Sequence, residues 1–236
     1  MKSKLVLSFL FVIINISVYG QQMAYMDPAQ AYNRLLIEKS GDSYMRIKNY
    51  KVIGSPYLFG QKIKGDLFAK GETASNIDLS YNTYNNEVEF FSKTNSNQPL
   101  IKEVQQVDSF TIYKNPSAGV NENLHFINGS FIYDDGKSFY QVIQKGKHYD
   151  LYKKYSGQLA VVSTNYIQSE LRQFDLNYGY YYLDHKGKKL KKLKVSNAGM
   201  KKEFPGDNGI STLLQGDELQ KNPEAVLKEI FSLINK

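Results

Sequence analysis

Two glutamates are spaced for acid–base chemistry. Glu87 and Glu89 lie two positions apart in Asn76–Ser92, NIDLSYNTYNNEVEFFS, where apolar and polar residues alternate. If this stretch forms strands, both carboxylates lie on one face with Cα atoms about 7 Å apart. This separation is within the range of glycosidase carboxylate pairs, so one hypothesis is a hydrolase. The alternation also fits a solvated strand face that carries both glutamates, and the pattern favours this interpretation.

A row of tyrosines lies later in the chain, at Tyr178, Tyr180 and Tyr182. Side chains two positions apart on a strand share a face, so these rings would form a ladder able to stack on sugars or on a peptide. Cross-strand packing within a core is the competing interpretation, and it is the commoner role of tyrosine rows.

A dense run of lysines follows the tyrosines, between Lys186 and Lys194. Such a run attracts anionic envelope polysaccharide or lipid headgroups through screened Coulomb forces. The alternative is structural, because lysines also protect an edge strand from pairing with another chain. The candidate ligand-binding lysines are Lys188, Lys189, Lys191 and Lys192.

Motifs of several common catalytic and metal sites are missing from the sequence. There is no cysteine, which excludes disulfides, thiolate metal sites and a cysteine nucleophile. There is no Gly-x-Ser-x-Gly elbow, no phosphate-binding Gly-rich loop and no His-Glu-x-x-His motif. His125, His148 and His185 have no second ligand at metal spacing. We therefore expect no cofactor and no metal, and the residues favour a non-enzymatic function without settling it.

Residues 1–20 have the features of a secretory signal peptide. Lys2 and Lys4 precede an apolar run from Leu5 to Val18, and Gly20 offers a cleavage site. The alternative is a retained membrane anchor, but the run is shorter than the ~20 residues that a spanning helix needs. We therefore expect export, with no transmembrane segment after removal of the signal. Export makes nucleic acid an unexpected partner, although the net charge is +7.

The candidate residues depend on hairpins that the sequence predicts over residues 44–195. Asn-rich, Asp-Gly or Gly-Lys turns separate the β-rich runs. A bulge or bend is expected between Val104 and Val107, where the apolar spacing changes. The predicted hairpins pair Ile77–Tyr81 with Val88–Phe90, Phe131–Tyr133 with Phe139–Val142, Phe139–Val142 with Tyr149–Tyr152, and the two arms of Tyr178–Leu193 around His185–Lys188.

Helices are predicted on both sides of this β domain. Residues 21–43 hold an N-terminal candidate, with Asp27 as its cap and Pro28 at its first position. Residues 196–236 hold a short helix over Ser196–Phe204 and a terminal helix that begins at Asn222-Pro223-Glu224 and packs on the β domain. The predicted fold class is α+β and β-rich: an antiparallel meander, twisted or partly closed, with a short N-terminal helix and C-terminal helices.

Three motifs resemble a family of exported, β-rich proteins of Bacteroidota. They are Gly54-Ser55-Pro56-Tyr57-Leu58, Ile77-Asp78-Leu79-Ser80-Tyr81-Asn82 and Glu87-Val88-Glu89-Phe90. In that family a similar turn precedes a strand pair of the form LRYNxYxDEIEF, and the resemblance covers residues 50–193. This chain departs from the pattern at Ser80, where arginine is common, and at Asn86, where aspartate is common. The resemblance implies a β-rich fold and export, and it assigns no catalytic residue.

Together these patterns predict an exported envelope or secreted module that binds an anionic polymer or a protein partner without catalysis. The alternative is a hydrolase that acts on envelope polysaccharide or other envelope material, with Glu87 and Glu89 as its acids. A periplasmic location is favoured over secretion, because residues 196–236 are predicted as helices. Exported Bacteroidota proteins often carry a β-sandwich sorting domain there instead.

Overall fold

The computed structural model describes residues 37–40, 43–46, 51–91, 99–161, 171–205 and 208–236. The predicted signal peptide and residues 21–36 of the predicted N-terminal helical segment lie outside these ranges. The chain divides into two compact units. The first comprises Met1–Val52 and Ser163–Arg172, and the second comprises Ile53–Val162 and Gln173–Lys236.

In the first unit, the described residues include a small antiparallel hairpin. Strand β1 (Ile37–Ser40) pairs with β2 (Ser43–Arg46), so that Ser40 lies opposite Ser43. The N-terminal helix prediction is therefore wrong for residues 37–40, which form a strand.

Strands dominate the second unit, and β3 (Lys51–Ile53) leads into it. A 3-10 turn or a loop of a few residues separates most of them. The remaining strands are β4 (Tyr57–Ala69), β5 (Glu72–Asn82), β6 (Glu87–Phe91), β7 (Pro99–Lys102), β8 (Ser109–Ile112), β9 (Leu124–Asn128), β10 (Phe139–Gln144), β11 (Tyr149–Val161), β12 (Leu171–Asp184) and β13 (Lys189–Lys192).

The strand order differs from that of one continuous meander. From one edge of the sheet, the strands lie in the order β7, β6, β5, β4 and β8, followed by β9 to β13 in chain order. The β-rich fold with a large sheet is confirmed. The single meander is not found, because β8 pairs with β4 instead of β7. Between Lys102 and Ser109 the chain therefore passes from the edge strand to the middle of the sheet.

The hairpin predicted within Asn76–Ser92 is confirmed as β5 and β6. Leu79 lies opposite Phe90 and Tyr81 opposite Val88. Tyr81 is buried, and its ring lies 5.3–5.7 Å from three phenylalanine rings of the core. Tilted and edge-to-face aromatic contacts of this kind stabilise a core beyond their buried area.

The hairpins around Gln144–Lys147 and His185–Lys188 are also found, but the strand predicted at Phe131–Tyr133 is wrong. Residues Gly129–Ile132 form a 3-10 turn. The partner of β10 is β9 instead, with Phe139 opposite Asn128.

Asn128 explains the longer connection after β9. Its side-chain oxygen accepts the N–H of Ser130, and its amide donates to the carbonyl oxygens of Val104 and Val107. These contacts satisfy buried polar groups and hold the turn against its neighbour. The bend expected between Val104 and Val107 is a 3-10 turn over Val104–Gln106.

In the described part of the chain after the sheet, the helices are α1 (Asn197–Glu203), α2 (Asn208–Leu213), α3 (Glu218–Lys221) and α4 (Pro223–Ile234). The predicted helices at α1 and α4 are confirmed. Leu227, Ile230 and Phe231 of α4 are buried in a cluster that includes Leu151 and Tyr180 of the sheet. Among the described residues, no helix has the length and hydropathy needed to cross a membrane.

We expect Gly65 to be essential for the pairing of β4 with β8. It lies opposite Ile77 on β5 and Ile112 on β8, and a methyl group there would lie 2.0 Å from the carbonyl oxygen of Thr111. Gly65→Ala should push β8 away from β4 and lower the free energy of unfolding by about 2–3 kcal/mol. Urea unfolding followed by circular dichroism measures this loss.

Gly179→Ala is the matched control, because a methyl group at Gly179 meets no atom closer than 3.5 Å. Its free energy of unfolding should stay within about 0.5 kcal/mol of the wild type. Equal stability of the Gly65→Ala protein and the wild type would contradict the close pairing of β4 with β8.

Candidate functional site

A groove of about 410 Å³ lies between the C-terminal hairpin and the helices that pack on it. It combines apolar walls with a few polar groups, as ligand pockets usually do. Strands β12 and β13 form one wall, and α3 and the start of α4 form the other. The lining residues are Tyr178, Gly179, Tyr180, Lys192, Leu193, Val195, Leu219, Gln220 and Pro223.

The three candidate tyrosines have different surroundings. Tyr178 is 56% exposed, whereas Tyr180 and Tyr182 are 3% and 2% exposed. The Tyr182 ring packs against Phe204 and Phe231, so it lies out of reach of a ligand. The inner part of the ladder therefore packs against the helices, and Tyr178 presents its ring at the groove.

A buried cation holds the Tyr178 ring in place. The Nζ atom of Lys153 lies 4.6 Å from the ring centroid of Tyr178, 5.2 Å from that of Tyr155 and 5.5 Å from that of Tyr180. The same atom lies 3.0 Å from Oε2 of Glu224, and only 14% of the Lys153 side chain is exposed. We call these five residues the Lys153 cage. Burial reduces the screening of its electrostatic contacts by water.

The pKa values of Lys153, Tyr155 and Tyr180 are shifted within the Lys153 cage. Burial opposes the charge of Lys153, but Tyr155 and Glu224 hold the pKa of Lys153 above its ordinary value. Burial raises the pKa of Tyr180 to about 12. Lys153 therefore keeps its charge at neutral pH and pairs with the Glu224 side chain.

The four candidate lysines lie on or beside the edge strand β13. Their position fits the alternative in which lysines protect an edge from pairing with another chain. Lys192 lines the groove, while Lys191 lies 3.5 Å from a carboxylate oxygen of Glu203. Lys188 and Lys189 are exposed at the turn beyond the groove. Lys192 is thus the candidate lysine that joins Tyr178.

The acid pair does not lie on a solvated face. Glu89 is 4% exposed, and its two carboxylate oxygens lie 2.8 and 2.9 Å from the Tyr57 hydroxyl, which donates to them. The expected wet face is therefore wrong for Glu89, and Glu87 is half-buried. The physical reason is that Ser80 and Asn82, their partners on β5, are buried as well. Both faces of this hairpin are covered.

Burial raises the pKa of Glu89 and also that of Glu87. Carboxyl groups with raised pKa values are a feature of general acids. Glu89, however, is engaged by Tyr57. The acid pair lies on β6, whereas the groove is lined by β12. In the sheet order these two strands are separated by β5, β4 and β8 to β11. The structure brings Tyr178 and Lys192 together, and the acid pair belongs to a different part of the sheet.

Sequence reasoning missed Lys153, Glu224 and the helical wall of the groove. Lys153 directly follows the predicted strand Tyr149–Tyr152 and Glu224 lies in the first turn of a predicted helix, but local spacing cannot show that they meet. From the sequence, Glu224 is expected to interact favourably with the helix dipole and to pair with Lys228 one turn later. The Lys228–Glu224 contact is found at 3.6 Å. The wall formed by Leu219 and Gln220 belongs to a four-residue helix, which is too short to give a periodic signal.

The described ranges contain no cluster of three His, Cys, Asp or Glu side chains suited to a metal ion. His125 lies on β9 beside Thr111, and His148 and His185 lie in two hairpin turns.

Comparison of the chain with protein-family models, with curated proteins and with solved structures finds no match in any of the three. The family resemblance therefore remains a prediction from the sequence motifs. The functional argument depends on the geometry of the groove.

We expect Glu89→Gln to stabilise the protein at neutral pH. Because burial raises the pKa of Glu89 above its unfolded value, the folded protein binds this proton more tightly, and the resulting stability is lost as pH rises through the folded pKa. Glutamine stays neutral and still offers an acceptor to Tyr57. The urea midpoint of Glu89→Gln should exceed that of the wild type at about pH 7.5 and approach it near about pH 4.

Glu72→Gln is the control, because it removes an exposed glutamate from the start of β5. Its urea midpoint should match that of the wild type at both pH values. A Glu89→Gln protein that is less stable than the wild type at neutral pH would show that the fold needs the ionised carboxylate, contrary to this expectation.

Proposed function

We propose that this protein is an exported, non-enzymatic binding module for an anionic glycan of the cell envelope. In this proposal an antiparallel, partly closed sheet and its C-terminal helices present the groove as the binding site. The exposed Tyr178 ring carries the proposal, because the Lys153 cage fixes it beside a groove that also contains Lys192. Export is the sequence-based part and depends on the signal peptide predicted in residues 1–20.

Tyr178 has the properties that a sugar-binding ring needs. The ring offers an apolar face to the C–H groups of a sugar, and its hydroxyl can exchange hydrogen bonds with sugar hydroxyls. Its centroid lies 5.9 Å from that of Tyr180 in an edge-to-face contact, and Lys153 lies over it. A ring that is already held loses little side-chain entropy when a ligand binds, which favours affinity.

Lys192 supports an acidic ligand over a neutral one. The charge of Lys153 is paired with Glu224, so the cation available to a ligand among the groove's lining residues is Lys192. Gln220 lines the opposite wall and adds an amide donor and acceptor. An acidic sugar unit would therefore meet a ring, a cation and an amide. Exposed lysines along the same edge would also speed its encounter with the protein.

The rival proposal is a hydrolase that uses Glu87 and Glu89. The observation in its favour is the raised pKa of both carboxyl groups. Against it, Tyr57 donates to both oxygens of Glu89, and a substrate would have to displace that hydroxyl. Hydrolysis of an envelope glycan by the wild type that the Glu87→Gln, Glu89→Gln double variant loses would establish the rival.

Tyr178→Ala tests the groove directly. Its affinity for an acidic polysaccharide such as a polyuronate should fall at least about tenfold, because a central aromatic contact is worth about 1.4 kcal/mol or more. Lys192→Gln should weaken binding about fivefold at low salt and less at high salt, since an exposed charge is screened. Isothermal titration calorimetry measures both affinities.

Tyr133→Ala is the matched control, because Tyr133 is 58% exposed, close to the 56% of Tyr178, and does not line the groove. It should bind like the wild type. Equal affinities of the Tyr178→Ala and Tyr133→Ala proteins, or a wild type that binds no glycan, would show that the groove is not a glycan site.

A further inference from the structure

We propose that two hairpin turns form a second anion site, which takes the phosphate groups of a phosphorylated polymer. The turns are Lys145–His148, between β10 and β11, and His185–Lys188, between β12 and β13. We call them the basic turns. This site is separate from the groove and does not depend on the function proposed for Tyr178.

Direct contacts hold the basic turns side by side. The backbone N–H of His185 donates to the carbonyl oxygen of His148 at 3.0 Å. The His185 ring lies between two acceptors, with Nδ1 3.2 Å from the carbonyl oxygen of Lys147 and Nε2 3.2 Å from Oδ2 of Asp150. Oδ1 of Asn235, after α4, accepts the N–H of His148 at 2.8 Å. The two turns therefore form one fixed surface.

Asp150 is the buried centre of this arrangement, with 4% of its side chain exposed. It accepts hydrogen bonds from Lys145 Nζ at 2.9 Å, from the N–H of Gly146 at 2.9 Å and from the Tyr152 hydroxyl at 3.0 Å. Although burial opposes its charge, the hydrogen bonds from Lys145 and Gly146 hold the pKa of Asp150 below its ordinary value. Asp150 stays ionised, fixes the first turn and is compensated by Lys145.

The basic turns also carry exposed lysines, and the Asp184 carboxylate beside the second turn accepts the backbone N–H groups of Lys186 and Gly187. Lys147, Lys186 and Lys188 are exposed. Within the described ranges, none of them forms an ion pair with an acidic side chain. Because the fold fixes the two turns together, these like charges share one surface. Their repulsion is relieved when a multiply charged anion binds.

The chemistry of the basic turns favours phosphate over a lipid surface. A phosphate group carries up to two negative charges and several acceptor oxygens, so it can contact lysines from both turns at once. Neither turn, KGKH or HKGK, contains an apolar side chain that could enter a bilayer. A membrane would be held by charge alone, without the apolar burial that strengthens interfacial binding.

Lys188→Gly separates the loss of charge from the loss of structure. Lys188 has a φ of 47°, in the left-handed region that favours glycine. The variant therefore removes a charge while it relieves the backbone. We expect a higher melting temperature together with about fivefold weaker binding of short-chain inorganic polyphosphate at low salt. Lys147→Gln should weaken binding by a similar factor, measured by isothermal titration calorimetry.

Lys70→Gly is the matched control, because Lys70 is exposed in another turn with a φ of 52°. Like Lys188→Gly, this variant removes one positive charge and places glycine at a left-handed backbone position. It should bind polyphosphate like the wild type. Tyr178→Ala should also bind it normally, which separates this site from the groove.

Three results would overturn the proposal. The first is no binding of polyphosphate by the wild type. The second is an equal loss of affinity in the Lys70→Gly and Lys188→Gly proteins, which would show attraction by net charge alone. The third is binding to vesicles that contain phosphatidylglycerol, but not to phosphatidylcholine vesicles, if polyphosphate does not compete with that binding. That result would assign the basic turns to a membrane surface.

Discussion

One buried ammonium group joins the sheet to its helices. Lys153 extends from β11, Tyr178 and Tyr180 belong to β12, and Glu224 lies in the first turn of α4. Burying a lysine is costly unless the charge is paired, and Glu224 supplies the partner at 3.0 Å. This contact therefore adds to the apolar packing that holds α4 against the sheet beside the groove.

The hairpin of β12 and β13 contributes to both proposed binding surfaces. Next to the Lys153 cage, Tyr182 packs against Phe204 and Phe231 and fixes β12 to the helices. Beyond Tyr182, the hairpin ends in the turn His185–Lys188. This hairpin thus lines the groove with Tyr178, Tyr180 and Lys192 and ends in one of the two basic turns. An anionic polymer that entered the groove would meet further positive charge along the edge strand β13.

The features that the sequence predicted depend on residues close together in the chain, whereas the features that it missed depend on contacts between distant segments. The turn after Asn82 and the apolar face of α4 are local patterns, so alternation and helical periodicity were enough to find them. The pairing of β4 with β8 joins segments distant in sequence, and no local signal specifies it. Burial of Glu89 was missed because alternation indicates a wet face only when nothing covers that face. Tyr178 was found as a candidate. That Tyr178 is exposed while Tyr182 is buried depends on where α4 packs, which the sequence does not show.

Binding at the groove is tested most directly by an NMR titration of the isotope-labelled protein with an acidic oligosaccharide. Amide signals respond to nearby ligands residue by residue, so the experiment locates the site without a mutation. We expect the signals of Tyr178, Gly179 and Gln220 to shift with occupancy while those of β6 stay in place. Shifts centred on Glu87 and Glu89, with the groove signals unchanged, would contradict the binding-module account and support a hydrolase.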